Sequence, residues 1–135
     1  MRIMALDVGT KRIGVALSDP LGITAQGLET FHRTELNADI DGLWKLIHEH
    51  EVEKLVVGLP KNMDGSIGFK AEEIREFVEQ LTARESIEVI WVDERLTTVS
   101  AERALLEADV SRAKRKQVID KMAATIILQS YLDRF

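Results

Sequence analysis

Hydrophobic periodicity changes once along this chain, and that change confines it to a small set of folds. Before residue 36 the pattern is strand-like. Arg2 to Asp7 is a short apolar run that ends on an acid, Val8 to Arg12 supplies turn chemistry, and Ile13 to Ser18 reads as a second strand closed by Asp19-Pro20. Gly27 to Arg33 makes a third strand, so the three form an antiparallel meander. From Leu36 the spacing lengthens. Ile40, Leu43, Trp44 and Ile47 recur at helical intervals, which predicts an amphipathic helix over Leu36 to His50. Lys54 to Gly58 is a continuous apolar run, the kind a strand needs when both its faces are covered. A loop follows from Leu59 to Ser66. A second helix over Ala71 to Ala83 carries Ile74, Phe77, Val78 and Leu81 on one side. Another apolar strand, Glu88 to Val92, runs into Asp93-Glu94. A short helix over Val99 to Glu107, capped by Thr97 or Thr98, and a final helix over Lys114 to Leu132 complete the chain.

Three strands, then alternating helices and strands, imply an α/β class with a mixed five-stranded sheet. An antiparallel meander joins parallel strands through crossovers, with helices on the faces. The 135 residues suit a single domain over 1–135, large enough to bury roughly two-thirds of its unfolded surface. With no cysteine, disulfides, thiolate metal sites and a cysteine nucleophile are excluded. No apolar run approaches the roughly 20 residues that span a bilayer, and the N-terminus lacks a targeting pattern, so a cytoplasmic location is expected.

The formal net charge of −5 argues against a protein that coats nucleic acid through bulk charge. Its distribution is uneven. Glu35 to Glu53 and Glu72 to Glu88 are acid-rich, whereas Arg112, Lys114, Arg115, Lys116 and Lys121 stand against one acid, Asp120. That run is either a solvated helix start or a local phosphate-binding patch.

Sites in sheets with parallel strands form at the carboxyl ends of those strands. Two predicted strands end in acids there: Asp7, and Asp93-Glu94. A third acid, Asp120, lies on the last helix, with Ala123, Ala124 and Ile127 at helical spacing. Small residues would let this helix lie close to the sheet and carry the Asp120 carboxylate toward the strand ends. Three converging carboxylates repel one another, and a divalent cation relieves that conflict. Mg²⁺ takes oxygen ligands, and two such ions about 4 Å apart can clamp the attacking and leaving oxygens of a phosphodiester. An acid after a strand is also a common turn or cap residue, so position alone leaves the class open.

Asp7 to Ala16, Gly58 to Gly65, Val92 to Thr98 and Asp120 to Asp133 together carry a family resemblance. The chain resembles the YqgF/RuvX family of bacterial RNase H-like proteins, with four motifs in order across essentially its whole length. The resemblance implies an RNase H-like fold and a metal-dependent nuclease using Mg²⁺ or Mn²⁺. Two roles are described for the family, processing of the 5′ end of pre-16S ribosomal RNA and resolution of Holliday junctions. The family's acids carry over to Asp7, Glu94 and Asp120 as catalytic metal ligands. Successive strand residues face opposite ways, so one of Asp93 and Glu94 reaches the metals, and the motif favours Glu94.

Supporting roles follow. Lys11 and Arg12 sit in a turn flanked by Gly9 and Gly14 and are candidates for phosphate contacts, although a plain hairpin turn explains them equally well. Lys61 and Asn62 lie in the loop after a buried strand, where they would hold a phosphate or sugar. Arg95 can bind the scissile phosphate or neutralise Asp93. Lys114, Arg115 and Lys116 can seat the nucleic-acid backbone. His48 and His50 point to different helix faces and read as surface residues, and Trp44 reads as core. Two other classes compete: a nucleotide-binding module like one lobe of actin- and hexokinase-like ATPases, and a non-catalytic nucleic-acid adaptor. A junction resolvase should be a homodimer with paired sites, whereas an RNA nuclease can act as a monomer.

Overall fold

The computed structural model describes residues 2–59, 68–93 and 112–133. They form strands β1 (Arg2–Val8), β2 (Arg12–Ser18), β3 (Ala25–His32), β4 (Val52–Leu59) and β5 (Glu88–Asp93). The helices are α1 (Leu36–Glu49), α2 (Phe69–Arg84) and α3 (Arg112–Leu132). The strands make one sheet in the order β3-β2-β1-β4-β5. β1 pairs antiparallel with β2 and β2 with β3, while β1–β4 and β4–β5 are parallel. This is the mixed five-stranded sheet that the change of period implies. The predicted helix over Val99 to Glu107 lies outside the described residues.

Strand alternation divides the core into two layers. Met4, Leu6 and Val8 of β1 pack with Ile13, Val15 and Leu17 of β2 and Leu55 and Val57 of β4, under the apolar stripes of α1 and α2. Ile3 and Ala5 face the other way, with Ala16, Val56 and Val92, and α3 covers them through Ala124, Ile127 and Leu128. β4 reads as an unbroken apolar run because both its faces are covered. Each large side chain sealed here contributes about 1.5–3 kcal/mol of transfer free energy. Trp44 is a core residue, and its Nε1 donates to the Leu81 carbonyl at 2.9 Å, joining α1 to α2. α1 closes on β3 at Gly42, where any Cβ would stand 2.6 Å from the Phe31 ring.

Several elements run past their predicted ends. β3 begins at Ala25 rather than Gly27, because Gln26 and Ala25 continue the ladder opposite Leu17 and Ser18, and its register shifts between the Val15–Glu29 and Ala16–Gly27 pairs. Leu28 is the extra residue of the bulge at that shift. β4 gains Val52 and Glu53 at its start and Leu59 at its end, α2 begins at Phe69, and α3 begins at Arg112. At the start of β4 the exposed Glu53 breaks the apolar pattern. Among the described residues, no helix is long and apolar enough to cross a membrane.

Candidate active site

The register of β1 determines the surroundings of Asp7. Leu6 and Val8 face α1 and α2, so Asp7 faces the α3 layer with Ile3 and Ala5. Across the antiparallel ladder its partner is Gly14. Leu6 pairs with Val57 across the parallel ladder, so the residue alongside Asp7 on β4 is Gly58. Gly58 in turn pairs with Val92, which packs in the α3 layer. Asp7 is half-buried. It stands at the carboxyl edge of three parallel strands between two residues that carry no side chain. This is the strand-end placement expected for a site in such a sheet.

The turn after β1 is tightly specified. The Gly9 N–H donates to the Arg12 carbonyl at 2.8 Å, and a Cβ on Gly9 would lie 2.7 Å from that same oxygen. Only glycine closes the turn this way. It presents Lys11 exposed and Arg12 half-buried. Arg33, at the end of β3, reaches back to it and donates from Nη1 to the Gly9 carbonyl at 2.8 Å. Sequence reasoning passed over Arg33, since a single arginine after a strand carries no pattern of its own.

α3 crosses its face of the sheet on a seam of alanines. Ala5 and Ala16 are direct partners in the β1–β2 ladder, and both lie with Ala124 in the α3 layer, each fully buried. The direction of the helix follows from Gln129. Its Oε1 accepts the Ala25 N–H at 2.9 Å and its Nε2 donates to the Ile23 carbonyl at 3.1 Å, at the β3 start. That end of the sheet also holds the start of β1, where the Ile3 N–H donates to Ser18 Oγ at 2.9 Å. The N-terminal turns of α3 therefore run toward the Asp7 end. From Gln129 back to Asp120 the helix rises about 13–14 Å, and from Ile3 to Asp7 the strand rises about 13 Å. The Asp120 backbone thus reaches the level of Asp7, one turn before Ala124. Its side chain lies outside the described set.

These elements recur in known proteins. A family model for RuvX, described as Holliday junction resolvase, matches residues 1–134. The chain belongs to the RuvX family. A relative from Moorella thermoacetica is 62% identical over 134 residues, spanning 99% of this chain and 96% of the relative. Another, from Listeria monocytogenes serovar 1/2a, is 59% identical over 135 residues and spans 98% of each chain. Both bear the provisional name pre-16S rRNA nuclease. In fold the RuvX chain is similar to Thermus thermophilus RuvC solved in complex with a Holliday junction substrate. That likeness has a TM-score of 0.57 at 12% identity and covers 94% of this chain and 92% of that one. The fowlpox virus Holliday junction resolvase is similar with a TM-score of 0.56 at 16% identity, each chain covered fully. The sheet and its flanking helices are thus an RNase H-like fold of the resolvase type.

Of the three acids expected in this RuvX chain, Asp7 alone has a described side chain. Glu94, Arg95, Lys61 and Asn62 lie outside the described residues. The backbones of Lys114, Arg115 and Lys116 form the first turns of α3, and their side chains lie outside the described set. Among the described residues, no group of three or more His, Asp or Glu side chains could hold a metal ion. His48 and His50 do not form one. His48 is exposed and its Nε2 lies 2.7 Å from Glu85 Oε2, while His50 is half-buried and its N–H donates to the Leu46 carbonyl at the end of α1. Trp91, exposed among large apolar residues, lines a shallow groove with Arg75, Val78, Glu79, Thr82 and Val89. It lies one residue from Val92 on β5 and so faces away from Asp7.

Proposed function

We propose that this RuvX protein hydrolyses phosphodiester bonds near the 5′ end of pre-16S rRNA, with Asp7, Glu94 and Asp120 binding two Mg²⁺ or Mn²⁺ ions. The observation that carries the reading is the placement of Asp7. It is half-buried at the carboxyl edge, flanked by Gly14 and Gly58, on the face over which α3 brings the Asp120 backbone. Membership of the family supports the nuclease activity, and the names of the relatives support the RNA. Such a substrate puts the work in ribosome biogenesis and in the cytoplasm, on a single domain.

The residues fit hard divalent cations. The donors are carboxylate oxygens, the chain has no thiolate to offer, and the two glycines beside Asp7 bring no competing side chain. Such ions, when bound, supply charge stabilisation to the attacking and leaving oxygens. Everything else falls to the chain. Asp7 fixes the position of the reacting centre on the central strand of the sheet. Lys11 and Arg12 hold phosphates next to it, together with Lys61, Asn62 and Arg95. Lys114, Arg115 and Lys116 seat the backbone as it enters. The Asp-Glu-Arg motif of the family supports Glu94 rather than Asp93 as the ligand.

Branched DNA is the second reading, favoured by the description of the family. It requires two paired sites, hence a homodimer, whereas the RNA reading allows a monomer. Side-by-side cleavage of a 16S precursor leader and a four-way DNA junction with Mg²⁺ or Mn²⁺ separates them, with Asp7→Asn as control. We expect cleavage of the leader alone, lost in the variant. Junction cleavage by a dimer would favour the second reading, and full activity of Asp7→Asn would overturn both.

A further inference from the structure

We propose that Arg33, held by Asp39, is a positioning residue for nucleic-acid binding. It sets the Gly9–Arg12 turn and, through it, the phosphate-facing cations Lys11 and Arg12. The proposal rests on the reading of those two cations given above.

The turn begins two residues after Asp7 and is closed by a bond from the Gly9 N–H to the Arg12 carbonyl. Arg33 adds two restraints from outside. Its backbone N–H donates to the Lys11 carbonyl at 2.9 Å, and its Nη1 donates to the Gly9 carbonyl at 2.8 Å. The guanidinium is itself anchored on two sides. Nε donates to Asp39 Oδ2 at 3.2 Å, and Cζ lies 4.8 Å from the centroid of the buried Phe77 ring of α2.

Asp39 is only 2% exposed, a rare state for a carboxylate. Its second oxygen accepts the Thr34 N–H at 3.0 Å, so both oxygens are engaged. The pair does more than hold α1 to β3. The buried carboxylate takes the Nε edge of the guanidinium, and the far nitrogen is directed at the carbonyl two residues past Asp7. A planar fork of donors can serve both at once, whereas a lysine ammonium at the end of a flexible stem cannot. The turn is thereby tied to α1 and α2, the helices packed on one face of the sheet. Lys11 and Arg12 meet a substrate already in place instead of being ordered by it, which lowers the entropy lost on binding.

The test compares Arg33→Lys and Asp39→Asn with the native full chain, with thermal unfolding recorded for each. RNA affinity is read with a single-stranded 16S leader fragment in the Asp7→Asn background, and kcat and KM with the same RNA in the native background. We expect KM and the dissociation constant to rise about tenfold, the scale of one lost hydrogen bond to a charged group, with kcat held within about twofold. Amide exchange at Gly9 and Lys11 should speed up. The Arg33→Lys effect should also shrink when Lys11 and Arg12 are both alanine, because it acts through them. A merely structural Arg33 would lower the folded fraction and leave the KM of the folded protein unchanged, and that result overturns the proposal. So does a tenfold loss that persists undiminished without Lys11 and Arg12. If the native chain binds no RNA at all, the reading of the site itself fails. If it binds RNA and Arg33→Lys binds equally well, only the role of Arg33 fails.

Discussion

Replacing Ala124 with leucine tests whether the alanine seam is what delivers α3 to the site. Ala124, Ala5 and Ala16 are each fully buried, so the helix and the two strands meet over methyl groups with no slack. Leucine adds three carbons. Transfer alone would favour their burial by about 0.8 kcal/mol each, but only in a space that can take them. Here α3 must instead rise from the sheet, on the order of 1 Å, at a net cost of about 1–3 kcal/mol. In a domain of 135 residues, 2 kcal/mol lowers the melting temperature by about 6–8 °C. The catalytic cost is the larger one. Position 120 lies one turn from Ala124, and a 1 Å misplacement in a reacting centre can cost about 100-fold in rate. Ile127→Val, in the same layer, removes a methylene for about 0.5–1.5 kcal/mol without lifting the helix, so it serves as the control. The assay is urea unfolding beside metal-dependent cleavage of the 16S leader at a temperature where both variants are folded. Cleavage should fall about 100-fold in Ala124→Leu and stay within about twofold in Ile127→Val. If Ala124→Leu loses the expected stability and still cleaves at the native rate, the seam does not deliver Asp120 and the reasoning is refuted.

Four further predictions concern the metal and other parts of the molecule. Chelation with EDTA should abolish cleavage and added Mg²⁺ or Mn²⁺ restore it. Asp7→Asn should stay inactive at any metal concentration while unfolding within about 1 kcal/mol of the native chain, because the substitution preserves shape at a half-buried position. Trp44→Phe should cost about 1–3 kcal/mol in denaturant unfolding, since it strands the buried Leu81 carbonyl, and should leave kcat and KM unchanged. At the β2–β3 tip, the Ile23 N–H bonded to Asp19 Oδ1 at 2.7 Å is the leading cause holding that carboxyl below its usual range. A depressed folded pKa gives support that is complete above the unfolded value of about 3.9 and fades as pH falls through the folded one. The Ile23 amide resonance should therefore hold steady from neutrality to about pH 5 and shift only below about pH 4. Movement near neutrality would contradict the assignment.

The fold was largely legible because each layer repeats its signal over many residues. Ile40, Leu43, Trp44 and Ile47 mark one helix face four times, and β4 announces its two covered faces by a continuous apolar run. Boundaries were less legible, as at β3, where a bulge around Leu28 is invisible to a pattern that counts in twos. The site was legible in part. Asp7 stood out because an acid ends an apolar strand, and the small residues before Ile127 announced a helix lying close to the sheet. Arg33 and Asp39 carried no such signal. Their significance lies in contacts to Gly9 and Phe77, 24 and 44 residues from Arg33 in sequence.

The sequence by itself determined the order and type of the elements, and which residues are apolar enough to be covered. Those properties are local, set by side-chain volume, polarity and spacing along one strand or helix. Only the tertiary structure decided what surrounds Asp7. Strand pairing placed Gly14 and Gly58 beside it, and the contacts of Gln129 set the direction in which α3 runs. Pairing register and helix direction depend on groups distant in the chain, and no local period encodes them.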